Sequence, residues 1–108
     1  MDKYILQGKV AIPEPDVQKW AKWFEKADRR VKVTHVGDTM ISTVFLGIDH
    51  SFGQLGPPLL FETMVFIGDG DGDMNRYPTW KLAEQGHDEM VKRIHEYYDP
   101  VKDQEIDL

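Results

Sequence analysis

The sequence predicts an α+β fold, a two-layer sandwich in which an antiparallel sheet of about four to five strands carries two amphipathic helices on one face. Three observations predict it. Apolar residues recur at steps of three and four over 17–27 and again over 80–98. Runs rich in Val, Ile, Thr and Phe lie between those two stretches, and short turns join them, which favours antiparallel neighbours over parallel crossovers.

Each element has its own local cause. Tyr4 to Ile12 alternates loosely around Gln7-Gly8, the pattern of a short strand with a turn or bulge. Pro13-Glu14-Pro15-Asp16 stops that strand and opens a helix with Asp16 as N-cap. In the helix Val17, Trp20, Ala21, Trp23, Phe24 and Ala27 fall on one broad stripe, and Arg29 and Arg30 suit the negative pole at its end. Val31 to Val36 reads as a strand, Gly37-Asp38 as a two-residue hairpin turn, and Met40 to Ile48 as the returning strand. Leu59 to Ile67 is the next. The alternating glycines and aspartates of Gly68 to Asp73 read as a loop, and Arg76-Tyr77 as the start of a brief edge strand that Pro78 ends. Thr79 caps a second helix, whose stripe is Trp80, Ala83, His87, Met90, Val91, Ile94 and Tyr98. The order is therefore β-α-β-β-β-(β)-α over residues 1–98, one domain, with DPVKDQEIDL at 99–108 an acidic, aperiodic tail expected to be disordered.

Composition narrows the function. A chain of 108 residues, 41% hydrophobic and 11% aromatic, has a real but modest core. Its formal charge of −6 argues against nucleic acid as a partner, because a phosphate-tracking surface would need a local basic cluster. Without cysteine there is no disulfide, thiolate nucleophile or cysteine zinc site. The start of the chain carries no basic leader, and no run approaches a membrane span, so the expectation is a soluble, cytoplasmic protein.

The stretch Thr43 to Phe66, TVFLGIDHSFGQLGPPLLFETMVF, holds the chemistry-bearing groups. Two apolar runs flank a turn with Asp49, His50, Gly53, Gly56, Pro57 and Pro58, and Glu62 interrupts the second run. A carboxylate inside an apolar strand needs a donor, a metal or a ligand, since burying it unpaired is costly. If the two runs pair so that Asp49 lies near Leu60, Gly47 falls opposite Glu62. Val44, Leu46, Ile48, Phe61, Val65 and Ile67 then face the helices. Ile41, Thr43, Phe45, Gly47, Asp49, Leu60, Glu62, Met64 and Phe66 form the other face, too apolar to stand in water and suited to a pocket, a subunit interface, or both. A one-residue slip would reverse the pattern.

The candidate ligand-binding residues are Phe45, Asp49, His50, Phe52, Gly56, Pro57, Glu62, Met64, Arg76 and His87. No catalytic residue, metal ligand or cofactor is assigned. Each group also has a plainer reading. Asp49 can fold back on the following amides as an Asx-turn. Glu62 can pair with Arg76, Arg29 or Arg30. His87 can be a hydrogen-bonded core histidine beside Gly86, which permits close approach. Asp69, Asp71 and Asp73 have the spacing of the first calcium-loop ligands, but Met74 and Trp80 stand where that pattern needs Gly and Glu. His35, His50, His87 and Glu62 are suitable metal ligand types without a close-spaced histidine motif.

The segments PEPD, WAKWFEKADR, STVFLGIDHSFG, GPPLLFETMVF and RYPTWKLAEQGH together resemble a family of small, mostly uncharacterised proteins encoded by bacteriophages and prophages. The resemblance covers nearly the whole chain except the acidic tail, and it implies a phage context without a mechanism. Three function classes follow. The first is a binding protein, acting as a homodimer or larger homo-oligomer, that sequesters a small polar ligand such as a nucleotide-derived immune signal in counter-defence. The second is an acidic protein–protein inhibitor of a host defence or nucleic-acid-binding enzyme. The third is a small hydrolase using His50 with Asp49 or Glu62.

Overall fold

The computed structural model describes residues 2–68 and 70–98, and the expected tail at 99–108 lies outside them. The element order is β1 (Tyr4–Gln7), β2 (Val10–Pro13), α1 (Val17–Lys26), β3 (Arg30–Val36), β4 (Thr39–Phe45), β5 (Phe61–Ile67), β6 (Gly70–Tyr77) and α2 (Trp80–Tyr98). β1 and β2 form a two-stranded antiparallel hairpin, and β3-β4-β5-β6 form a four-stranded antiparallel sheet in chain order. The fold is α+β with an open sheet, as the periodicities predict.

Local signals account for the element ends. Asp16 Oδ1 accepts from the amides of Gln18 and Lys19 at 3.0 and 3.2 Å, capping α1. The Thr79 hydroxyl accepts from Leu82 N at 3.2 Å and caps α2. Gly37 takes the positive φ, 57°, that the tight β3–β4 turn requires. Two elements differ from expectation. The first strand is a full hairpin that turns at Gly8-Lys9, since Gln7 pairs with Val10 and Tyr4 with Pro13. The Gly/Asp run belongs largely to β6: Gly70 pairs with Ile67 and Asp71 with Phe66, so tertiary pairing overrides residues that disfavour strands.

The register of β4 against β5 also differs, and this decides which residues face the core. Val44, not Gly47, stands opposite Glu62, a shift of three residues along β4. An odd shift exchanges the two faces of a strand. Ile41, Thr43 and Phe45 are therefore buried beneath the helix layer, with Phe61, Thr63 and Val65 beside them, while Val44 stands on the uncovered face.

The core lies on one side of the sheet. α2 runs across all four strands. At one end Phe45, Leu60, Phe61 and Ala83 form a buried cluster covered by Tyr4, Leu6 and Ala11 of the hairpin, Trp23 of α1, and Tyr77 and Trp80. At the other end Ile41, Val65 and Met90 pack with Val36, Val91 and Ile94. Gly86 lets α2 approach β6, because a Cβ there would come within 2.2 Å of the Tyr77 ring. The indole N–H of Trp20 donates to the carbonyls of Tyr4 and Gly47, at 3.1 and 3.0 Å, which ties α1 to β1 and to the segment that leaves β4. No described helix is long and apolar enough to cross a membrane.

Candidate functional site

The connection from β4 to β5 is pinched at its base. Tyr4 N donates to Gly47 O and Asp49 N to Asp2 O, so the chain after β4 runs beside β1. His50 N donates to Leu59 O at 2.9 Å, closing the loop between them. Asp49 staples that closure: Oδ1 accepts from Ser51 N at 2.8 Å and Leu59 N at 3.0 Å, and Oδ2 from the Ser51 hydroxyl at 3.0 Å. Burial pushes the Asp49 carboxyl up, but these amide and hydroxyl donors outweigh it and hold the group below its ordinary range. The Asx-turn reading is the one the geometry supports.

Above the staple the loop presents apolar groups. Phe52 adopts a left-handed conformation at φ 52°, an uncommon state for a non-glycine residue, and Leu55 is fully exposed. The His50 ring stands edge-on to Phe52, 5.5 Å between centroids. Its Nδ1 lies 2.8 Å from Ile48 O, and a carbonyl only accepts, so the proton is on Nδ1. Ser51 donates to Asp49 rather than to His50, so these neighbours do not form a nucleophile–base pair.

Two cavities of about 390 Å³ each flank the loop and share Tyr4 and Pro58 in their walls. The first is polar, with Asp2, Asp49, Ser51 and Gln54 among its lining residues. The second is mainly apolar, built from Val10, Ala11, Pro57, Leu60, Phe61, Pro78 and Trp80, with Lys9 at its wall. Lys9 Nζ lies 5.7 Å from the centre of the Trp80 ring, and Phe61 packs against the same ring in a T-shaped arrangement. The Trp80 indole N–H is buried with no hydrogen-bond partner among the described residues. Such a donor is costly unless an acceptor reaches it.

The expected site residues separate into three places. Asp49, Phe52, Gly56 and Pro57 line the cavities, and His50 adjoins them through Phe52. Phe45 is a core residue, packed on Trp23 and Phe61, because the register turns it toward the helices. Glu62, Met64 and Arg76 lie on the uncovered sheet face, where Arg76 Nε donates to Glu62 Oε2 at 3.0 Å between paired positions of β5 and β6. This is the structural ion pair, and it explains the carboxylate in an apolar strand.

His87, on the sheet-facing side of α2, is fully buried on the opposite side of the sheet from Glu62. Its Nε2 lies 2.8 Å from Thr34 Oγ1 and its Nδ1 2.7 Å from Thr43 Oγ1, which in turn meets Thr63 Oγ1 at 2.5 Å. Burial, then nearby Lys32, pushes the His87 pKa down, against a smaller opposing effect of Asp88. The ring is a satisfied core histidine. Among the described residues no three His, Asp or Glu side chains gather as a metal would require.

Pro58 of the expected loop wall lines both cavities, whereas Tyr4, Lys9, Pro78 and Trp80 are not among the candidate residues. Trp80 reads as core because it opens the apolar stripe of α2, and Lys9 reads as part of a turn. Only the docking of the hairpin beside the start of α2 brings them together. Comparison with protein-family models, with curated proteins and with solved structures finds no match to the chain.

Proposed function

We propose that this protein captures a small, ring-bearing, nucleotide-like ligand in the paired cavities beside the 49–58 loop. One observation carries the reading: the apolar cavity holds the Lys9 ammonium over the Trp80 ring, while the adjoining polar cavity offers Asp49, Ser51 and Gln54 across the shared Tyr4–Pro58 wall. A flat base fits the apolar lobe by stacking and shape. Ribose hydroxyls suit the carboxylate and amide of the polar lobe. Lys9 gives local attraction to one phosphate in a chain whose overall charge repels anions. The resemblance to phage-encoded proteins adds a role for such binding, the sequestration of a nucleotide-derived host signal, which needs retention and no turnover.

The test is calorimetric titration of the purified chain with a mononucleotide, its nucleoside, a cyclic dinucleotide and ADP-ribose, beside native mass spectrometry after incubation with cell extract. Binding of a nucleotide, weakened about tenfold or more by Trp80→Ala and selectively for the phosphorylated form by Lys9→Glu, is the expected result. No binding by any of these compounds at millimolar concentration overturns it. A protein partner is the second reading, favoured by the outward Phe52 and Leu55. Pull-down lost in Leu55→Asp, with no small-molecule adduct, would place that reading first.

A further inference from the structure

We propose that the uncovered face of the four-stranded sheet binds a second copy of this chain, face to face about a two-fold axis. The register lays out this face as three rows across β3, β4, β5 and β6. They are Arg30, Val44, Glu62 and Arg76; Val33, Ser42, Met64 and Met74; and His35, Met40, Phe66 and Asp71. Half of these twelve positions are apolar, and they are contiguous. Val33 and Met74 are 39% and 40% exposed, and Met40, Val44, Met64 and Phe66 are half-buried, on a face that neither helix nor the hairpin covers.

Two arguments select a copy of the same chain as the occupant. The first is charge. The whole chain carries −6, so two copies repel through most of their surfaces, yet this face lacks that acidic excess among the described side chains, since Arg30 and Arg76 stand there with Glu62. A self-complementary contact is electrostatically open here, and a two-fold axis would let the Glu62–Arg76 pair of one copy meet that of the other in opposite order. The second is size. Four strands at ~4.8 Å spacing and seven residues at ~3.3 Å each present roughly 20 × 23 Å. Two such faces offer about 900 Å² in flat projection, and side chains standing above them raise the accessible surface toward the lower end of the ~1,200–2,000 Å² that stable interfaces bury. Aligned packing of two sheets is a standard way to close an apolar face. The cavities share no residue with these twelve positions, so pairing leaves them open.

Sedimentation equilibrium of the full chain from about 1 to 100 μM tests this, since dimerisation depends on protomer concentration. The expected result is a dimer whose association Met64→Lys and Met74→Lys each weaken at least tenfold, with unchanged far-ultraviolet circular dichroism, while Leu55→Lys on the loop leaves it intact. Met74→Lys keeps the test valid if Met64→Lys fails to fold, because Met74 is already partly exposed on the edge strand. A wild-type monomer throughout the range overturns the proposal, as does a dimer indifferent to both lysines. A monomeric full chain whose 1–98 truncation dimerises also overturns it, by assigning the face to residues 99–108.

Discussion

Nδ1 of His87 lies 2.7 Å from the hydroxyl oxygen of Thr43, and through that contact α2 is joined to the two central strands. A neutral imidazole has one donor and one acceptor nitrogen, and the hydroxyls of Thr34, Thr43 and Thr63 can orient to serve either tautomer. The polar chain is thus complete without water or ligand, inside a layer of apolar side chains.

Breaking it should be expensive. We expect His87→Ala to lower unfolding stability by about 2–4 kcal/mol, from lost packing and stranded hydroxyls, and Thr63→Val by about 1 kcal/mol, since only one contact at the chain's end is removed. Urea denaturation at pH 7.5 measures both. A His87→Ala variant as stable as wild type would show that the chain is dispensable.

The same ring sets a pH dependence. Burial lowers the folded-state pKa of His87 below its ordinary value of 6.5, so at mildly acidic pH the unfolded chain binds a proton that the folded chain refuses. Its contribution is fully present above pH 6.5 and is lost as pH falls from there toward the lowered folded value. Denaturation midpoints should drop between pH 7.5 and 5.5 in wild type and change less in His87→Gln. Asp49 acts lower on the scale, its contribution being lost as pH falls below about 3.8 and through its depressed folded value.

Asp49 holds the loop that builds both cavity walls. Asp49→Ala should cost about 1–3 kcal/mol by leaving the Ser51 and Leu59 amides without their acceptor. Amide exchange at Leu59 should quicken, and protease cleavage should move to 52–56. Asp49→Asn keeps an acceptor and should be the milder change.

Glu62 and Arg76 should behave as a structural pair. A double-mutant cycle is expected to give a coupling of about 0.5–1 kcal/mol, appropriate to a partly exposed cross-strand ion pair. Neither single substitution should abolish binding in the cavities, which lie away from that face. Loss of ligand in Glu62→Ala with intact stability would relocate the site.

Gly86 gives a prediction of opposite sign to helix propensity. Alanine there gains about 1 kcal/mol in a helix interior, yet its Cβ would overlap the Tyr77 ring at 2.2 Å. We expect Gly86→Ala to be net destabilising, by about 1–2 kcal/mol, and Tyr77→Ala to relieve the clash in the double variant.

Much of the fold was legible because its signals are local. Asp16 and Thr79 cap the helices they precede, the three-and-four spacing of Ala83, His87, Met90 and Ile94 marks the face of α2, and Gly37-Asp38 makes the turn its conformations demand. The Asx-turn of Asp49 is legible for the same reason, since Ser51 lies two residues on, whereas its bond to Leu59 across the loop is not. The Gly70–Asp73 strand was not legible, because its pairing energy comes from β5 and not from its own residues.

Residue pattern is enough to show that β4 and β5 alternate, that α1 and α2 each have an apolar side, and that the chain between the two strands is a loop shaped by Gly and Pro. Packing sets Val44 opposite Glu62, and with it places Phe45 in the core while Glu62 and His87 face opposite ways. Packing also brings Lys9 and Trp80 to one cavity. The reason is physical: alternation has a period of two and fits either face, so a long connection leaves register to the packing of Thr43, Phe45 and Thr63 beneath α2.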